Sequence, residues 1–104
     1  KAEPKWSAPG QEHLVYETKI CKIAILICMD NHINETARLV ALQDADIIIH
    51  ISNWLSERTP GPYWISRAFE NSAYLIEGNR WGLERTVQFS GGSCIINHVI
   101  QFND

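Results

Sequence analysis

The residues able to do covalent or acid–base chemistry here are three cysteines, Cys21, Cys28 and Cys94, and four histidines, His13, His32, His50 and His98. A cysteine attacks carbon only as its thiolate, so a catalytic thiol needs a base or a cation beside it. The histidines are scattered without ligand spacing, so neither a metal site nor a cofactor is expected. His50, in the apolar run Asp46 to Ile51, reads as a core histidine with its polar atoms satisfied. Most cysteines at the ends of buried strands are inert small hydrophobes, so position must distinguish them. Cys28 closes the run Lys22-Ile23-Ala24-Ile25-Leu26-Ile27-Cys28. Asn53 and Asn79 fall at the ends of the two apolar runs that follow. Three polar residues at equivalent strand ends mark the kind of edge where a pocket forms on rigid supports.

Several short motifs extend this reading. Ile27-Cys28-Met29-Asp30 is followed by Glu35-Thr36-Ala37-Arg38-Leu39-Val40-Ala41-Leu42-Gln43 and by Ala45-Asp46-Ile47-Ile48-Ile49. Then come Ser52-Asn53-Trp54, Arg67-Ala68-Phe69-Glu70-Asn71, Gly78-Asn79-Arg80 and Phe89-Ser90-Gly91-Gly92-Ser93. In order and spacing the series resembles the nitrilase superfamily of carbon–nitrogen hydrolases from the nucleophile region onward. The Trp81-Gly82-Leu83-Glu84-Arg85 run is most similar to the amidase-type branches. The resemblance implies that Cys28 is the nucleophile attacking a small amide, carbamoyl compound or nitrile through a thioester. It also implies that the Met29 backbone N–H stabilises the oxyanion and that Asn53 and Trp54 line the pocket. Trp54 reads equally as a core residue.

The family's general-base glutamate and its lysine lie upstream of anything matched by this chain. Glu3, in its Glu-Pro-Lys-Trp setting, stands where a second, positioning glutamate is expected. It also reads as an ordinary exposed acid in a loop. Arg67, Glu70 and Asn71 read as a structural polar network shared with Glu35 or Asp30, because buried charge survives only when paired.

The elements that must position these residues follow from the apolar pattern. His13 to Met29 is strand-like, and its unbroken apolar stretch suggests a strand covered on both faces, with Cys21 and Cys28 pointing to opposite sides. Asn34 is a candidate N-cap for a helix over Thr36 to Gln43, and Asp44 suits the left-handed residue that ends it. Asp46 to Ile51 is a second strand, Tyr63 to Ser72 a second helix, Tyr74 to Gly78 a third strand, and Val87 to Asn97 a fourth. Lys1 to Glu12 reads as irregular. The order β-α-β-α-β-β implies an α/β fold with a partly parallel sheet. By resemblance it is part of a nitrilase-type four-layer α-β-β-α sandwich, with 1–104 as a partial domain and the amino-terminal part absent. The two helices then supply a homo-oligomer contact.

Composition narrows the alternatives. The 104 residues are 45% hydrophobic and 10% aromatic, which fits a packed body of one domain. A net charge of −3 with interspersed signs gives no basic stripe for nucleic acid and no cationic face for a membrane. Apolar runs are too short to span a bilayer, no secretory leader opens the sequence, and three cysteines cannot all pair, so a soluble, reduced, cytoplasmic protein is expected. Two rivals stand beside the hydrolase: a truncated, non-catalytic binding or interaction module of the same family, and a small α/β ligand-binding domain whose cysteines are all structural.

Overall fold

A computed structural model of the chain describes residue 10, residues 14–54 and residues 61–98. Seven strands and two helices follow one another as β1 (Val15–Glu17), β2 (Lys22–Ile27), α1 (Asn34–Ala41), β3 (Ile47–Ser52), α2 (Pro62–Asn71), β4 (Tyr74–Asn79), β5 (Trp81–Glu84), β6 (Val87–Ser90) and β7 (Cys94–Ile96). A 3-10 turn, Cys28–His32, joins β2 to α1.

The isoleucine-rich runs form the centre of a five-stranded sheet ordered β1-β2-β3-β4-β7. β2, β3 and β4 are parallel, as helical crossovers require, and antiparallel β1 and β7 close the edges. Asp46 sets the register where the parallel strands begin. Its carboxylate accepts the Lys22 N–H at 2.8 Å, its own N–H donates to the Lys22 carbonyl, and its carbonyl accepts the Tyr74 N–H.

Period two then sends Ala24, Leu26, Ile48 and Leu75 to one face of the sheet, where they bury against Ala37 and Val40 of α1 and Trp64 and Ala68 of α2. The opposite face carries Ile25, Ile27, Ile51 and Ile95, all exposed. β2 is therefore covered on one side by the described residues, not on both. Its apolar run reflects an interior strand whose second face is apolar without a layer over it among the described residues.

Three other expectations change. The opening strand-like stretch is a hairpin: β1 turns at Thr18–Cys21, where the Thr18 hydroxyl accepts the Cys21 N–H, so Cys21 and Cys28 flank β2 instead of lying on it. The expected strand Val87 to Asn97 splits in two at Gly91 and Gly92, whose positive φ angles of 70° and 78° break the extended chain. At Gly91 the space is also closed, since a Cβ would meet the Trp81 ring at 2.6 Å. β5 and β6 form a separate two-stranded ribbon, so the expected six-element order becomes nine elements. Finally, Asn34 is the first helical residue and makes no cap; Ile33 holds the N-cap position. α2 runs from Pro62 to Asn71, with Ser72 left-handed at its end, and Asp44 is left-handed as expected, at φ 67°. No helix among the described residues is long and apolar enough to cross a membrane.

The unequal faces make a measurable contrast. Leu75→Ala, on the covered face, should lower the unfolding free energy of the chain by about 2–5 kcal/mol. Ile95→Ala, on the open face, should change it by about 0.5 kcal/mol or less. Urea titrations of the two variants check this, and equal losses would mean that both faces are packed.

Candidate active site

Cys28 sits where β2 ceases to be a strand. Its φ is 49°, in the left-handed region that costs a β-carbon-bearing residue about 1–2 kcal/mol. Such a conformation persists only when its surroundings fix it, and three contacts do so. The Asp30 carboxylate reaches back to accept the Ile27 N–H at 3.0 Å. His50, from β3, donates through Nε2 to the Cys28 carbonyl at 2.8 Å. Arg67, from α2, donates to the His32 carbonyl at 3.1 Å. The cysteine itself is half-buried and packs against the core.

His50 is fully buried and has a second partner. Its Nδ1 lies 2.5 Å from Oε2 of Glu77, which is also buried and occupies the neighbouring position on β4. A carbonyl oxygen only accepts, so Nε2 must carry a hydrogen. In a neutral ring Nδ1 then accepts, and the Glu77 carboxyl donates. Burial favours this arrangement because it leaves no formal charge inside the sheet. The unpartnered Glu77 Oε1 fits it too, since a carboxylate oxygen without a donor would be costly there. Burial pushes the Glu77 carboxyl above its ordinary 4.5, outweighing the lowering that a hydrogen bond from His50, and its charge if protonated, would bring. Burial, with Glu77 behind it, also raises the thiol of Cys94, its neighbour on β7.

Asn79 is a clasp. Its amide oxygen accepts the Trp54 N–H at 2.8 Å and the Ser52 hydroxyl at 3.2 Å, while its amide nitrogen donates to the Gly91 carbonyl at 2.7 Å and to Ser90 Oγ at 3.1 Å. It ties the end of β3 to the glycine turn after β6. Its side chain is therefore spent on the scaffold, although the sequence placed it with Cys28 and Asn53 at one strand edge.

The remaining expected site residues distribute as follows. Met29 follows Cys28 in the 3-10 turn with its side chain exposed. Asn53, just past β3, is exposed, and Trp54 is buried in the core, with the His32 ring edge-on at 4.9 Å. Glu3 lies outside the described residues. Arg67 pairs with Glu70 at 3.0 Å, and Asn71 Nδ2 donates to the Arg67 carbonyl. This network extends to Arg38, which donates to the Glu70 carbonyl and to Asn71 Oδ1, and through Arg67 to the His32 carbonyl. Glu35 and Asp30 were the expected partners; the exposed Glu35 is outside the network, and Asp30 instead caps Ile27. Among the described residues no group of three His, Cys, Asp or Glu side chains could hold a metal ion.

The pairing of His50 with Glu77 was missed from sequence. The available signal was Glu77 itself, the one charged residue in the apolar run Tyr74 to Gly78, which a buried strand tolerates only with a partner.

Known proteins share this fold. The carbon-nitrogen hydrolase family profile matches residues 2–101. The chain belongs to that family. This carbon-nitrogen hydrolase chain is 35% identical over 98 residues to a probable nitrilase of Schizosaccharomyces pombe, covering 90% of the chain and 35% of that protein. It is 37% identical over 81 residues to a nitrilase of Pyrococcus abyssi, covering 78% and 30%. Its structure is similar to the NitN amidase of Nesterenkonia sp. AN1, with a TM-score of 0.81 and 26% identity over 88% of this chain and 37% of that one. In variants of that amidase, one complex holds butyramide, and another shows the acetamide moiety of fluoroacetamide added covalently at the active-site cysteine. The carbon-nitrogen hydrolase chain thus spans about a third of the length of these relatives.

The raised Glu77 carboxyl has a consequence for stability. A group whose folded pKa exceeds its unfolded value contributes fully below the unfolded pKa, and that contribution is lost as pH rises through the folded pKa. Wild-type protein should therefore lose stability relative to Glu77→Gln as the pH rises from the ordinary carboxylate range through the raised titration of Glu77. Paired denaturation curves across this window test the sign, and a pH-independent difference would refute the raised carboxyl.

Proposed function

We propose that this chain is the carboxyl-terminal part of an enzyme that hydrolyses non-peptide carbon–nitrogen bonds of small amides, carbamoyl compounds or nitriles. Cys28 is the nucleophile. The observation that carries the reading is its strained turn at the end of an interior parallel strand, in a chain that is similar over most of its length to an amidase with a reactive cysteine. The thiolate attacks the substrate carbon and forms a tetrahedral adduct. Ammonia or an amine leaves as the thioester forms, and water then cleaves the thioester to release the acid and regenerate the thiol. The Met29 N–H stabilises the oxyanion, Asn53 and Trp54 line the pocket, and Glu3 positions the reacting groups. The family's general base and lysine come from the upstream segment that the relatives possess.

The same segment covers the open isoleucine face of the sheet and completes the sandwich. The exposed Leu39 of α1, Leu42 at its C-cap, and Ile65 and Phe69 of α2 form the self-association surface. The chain's coverage of only about a third of its relatives favours one alternative, a truncated module that binds without catalysis.

Two experiments decide between these. The full-length protein carrying this sequence should hydrolyse a small amide such as butyramide, and Cys28→Ala should abolish turnover. The purified 104-residue chain should show no appreciable turnover, because loss of a single oxyanion stabiliser alone costs roughly a hundredfold to a thousandfold. Hydrolysis by the short chain, lost in Cys28→Ala, would overturn the assignment of base and lysine to the upstream segment. Separately, Leu42→Glu together with Phe69→Glu should shift the full-length protein toward monomer in sedimentation velocity; an unchanged sedimentation coefficient would remove the helices from the contact.

A further inference from the structure

One buried group, His50, reaches the backbone of Cys28, and a second, Glu77, holds His50 from behind. The His50 Nε2–H donates to the Cys28 carbonyl at 2.8 Å, and Glu77 holds the other ring nitrogen at 2.5 Å. Both side chains are shut off from solvent, and both come from strands paired in parallel register, so the pair is rigid.

Peptide geometry gives this contact a second end. The carbonyl of Cys28 and the N–H of Met29 belong to one planar trans peptide, in which they point in opposite directions. Whatever fixes the carbonyl fixes the N–H. That peptide opens the 3-10 turn. Cys28 is itself in a strained conformation, at φ 49°, from which an unanchored peptide would relax.

We infer that the His50–Glu77 pair is a positioning device: it locks the Cys28–Met29 peptide plane and so aims the Met29 N–H at the oxyanion. This rests on the nucleophile reading above. Glu77 acts one step further back, by keeping His50 in the tautomer with hydrogen on Nε2. Without a donor at Nδ1, the ring hydrogen can move to Nδ1, and Nε2 then presents a lone pair to the carbonyl. That contact is repulsive, and the peptide turns. An alternative partner for Nδ1 that still donates keeps the device working, and a glutamine amide is such a donor.

The test uses the full-length protein with 15N-labelled histidine, its His50 signals assigned from their loss in His50→Phe. The wild type should show a neutral His50 with hydrogen on Nε2. Glu77→Gln should keep that tautomer and leave kcat within about twofold. Glu77→Leu should lose it and lower kcat by roughly tenfold to a hundredfold with KM little changed, because oxyanion donors act mainly in the transition state. Alkylation of Cys21, remote in the hairpin turn, serves as the control for general loosening. Hydrogen on Nδ1 of a neutral His50 in the wild type would overturn the inference without any variant having to fold. So would an unchanged kcat in folded Glu77→Leu, or a fall in kcat accompanied by an equal rise in Cys21 exposure. If the wild type hydrolyses nothing, the nucleophile reading fails and takes the oxyanion role with it. The tautomers of the wild type, Glu77→Gln and Glu77→Leu would still report whether the pair holds the peptide.

Discussion

A glutamate in the middle of a sheet can be neither left charged nor left without a partner. Glu77 meets that constraint by facing His50 across the β3–β4 pair, and His50 meets its own by reaching the carbonyl of Cys28. Isolated burial of either group would cost several kcal/mol, whereas one proton between them leaves the interior neutral. The last acceptor in this chain is the backbone of the residue most able to do covalent chemistry. Polar satisfaction of the core and geometry of the Cys28 turn are thereby one problem with one solution.

The rest of the scaffold serves the same edge of the sheet. Asp46 aligns the starts of β2, β3 and β4, so that their ends also align, and Cys28, Asn53 and Asn79 emerge together. Asn79 then ties the end of β3 to the turn after β6. Arg67 steadies the 3-10 turn from α2 through the His32 carbonyl. Each support comes from a different element, which leaves the turn little freedom to relax from its positive φ.

The sheet has an inside and an outside of unequal kind. One face is sealed by α1 and α2 around Trp64, while the other presents isoleucines to solvent. The relatives are roughly three times the length of this chain.

Local pattern made much of this legible. The isoleucine runs fixed β3 and β4 to within a residue, the periodicity of α1 and α2 fixed the helices to within two, and motif order identified the family around Cys28, because each depends on neighbours close in sequence. Asp44 at the end of α1 was legible for the same reason. The break at Gly91 and Gly92 was misread as a continuous strand because their positive φ depends on how Trp81 packs against the turn. Asn79 read as a pocket group because its type and strand-end position say nothing about which backbone will arrive to occupy its amide. The partnership of His50 and Glu77, 27 residues apart, was decided only when parallel pairing set those two positions side by side. Sequence dictates the period of a strand. Which side chain stands across from it depends on register, and register is a property of the assembled sheet.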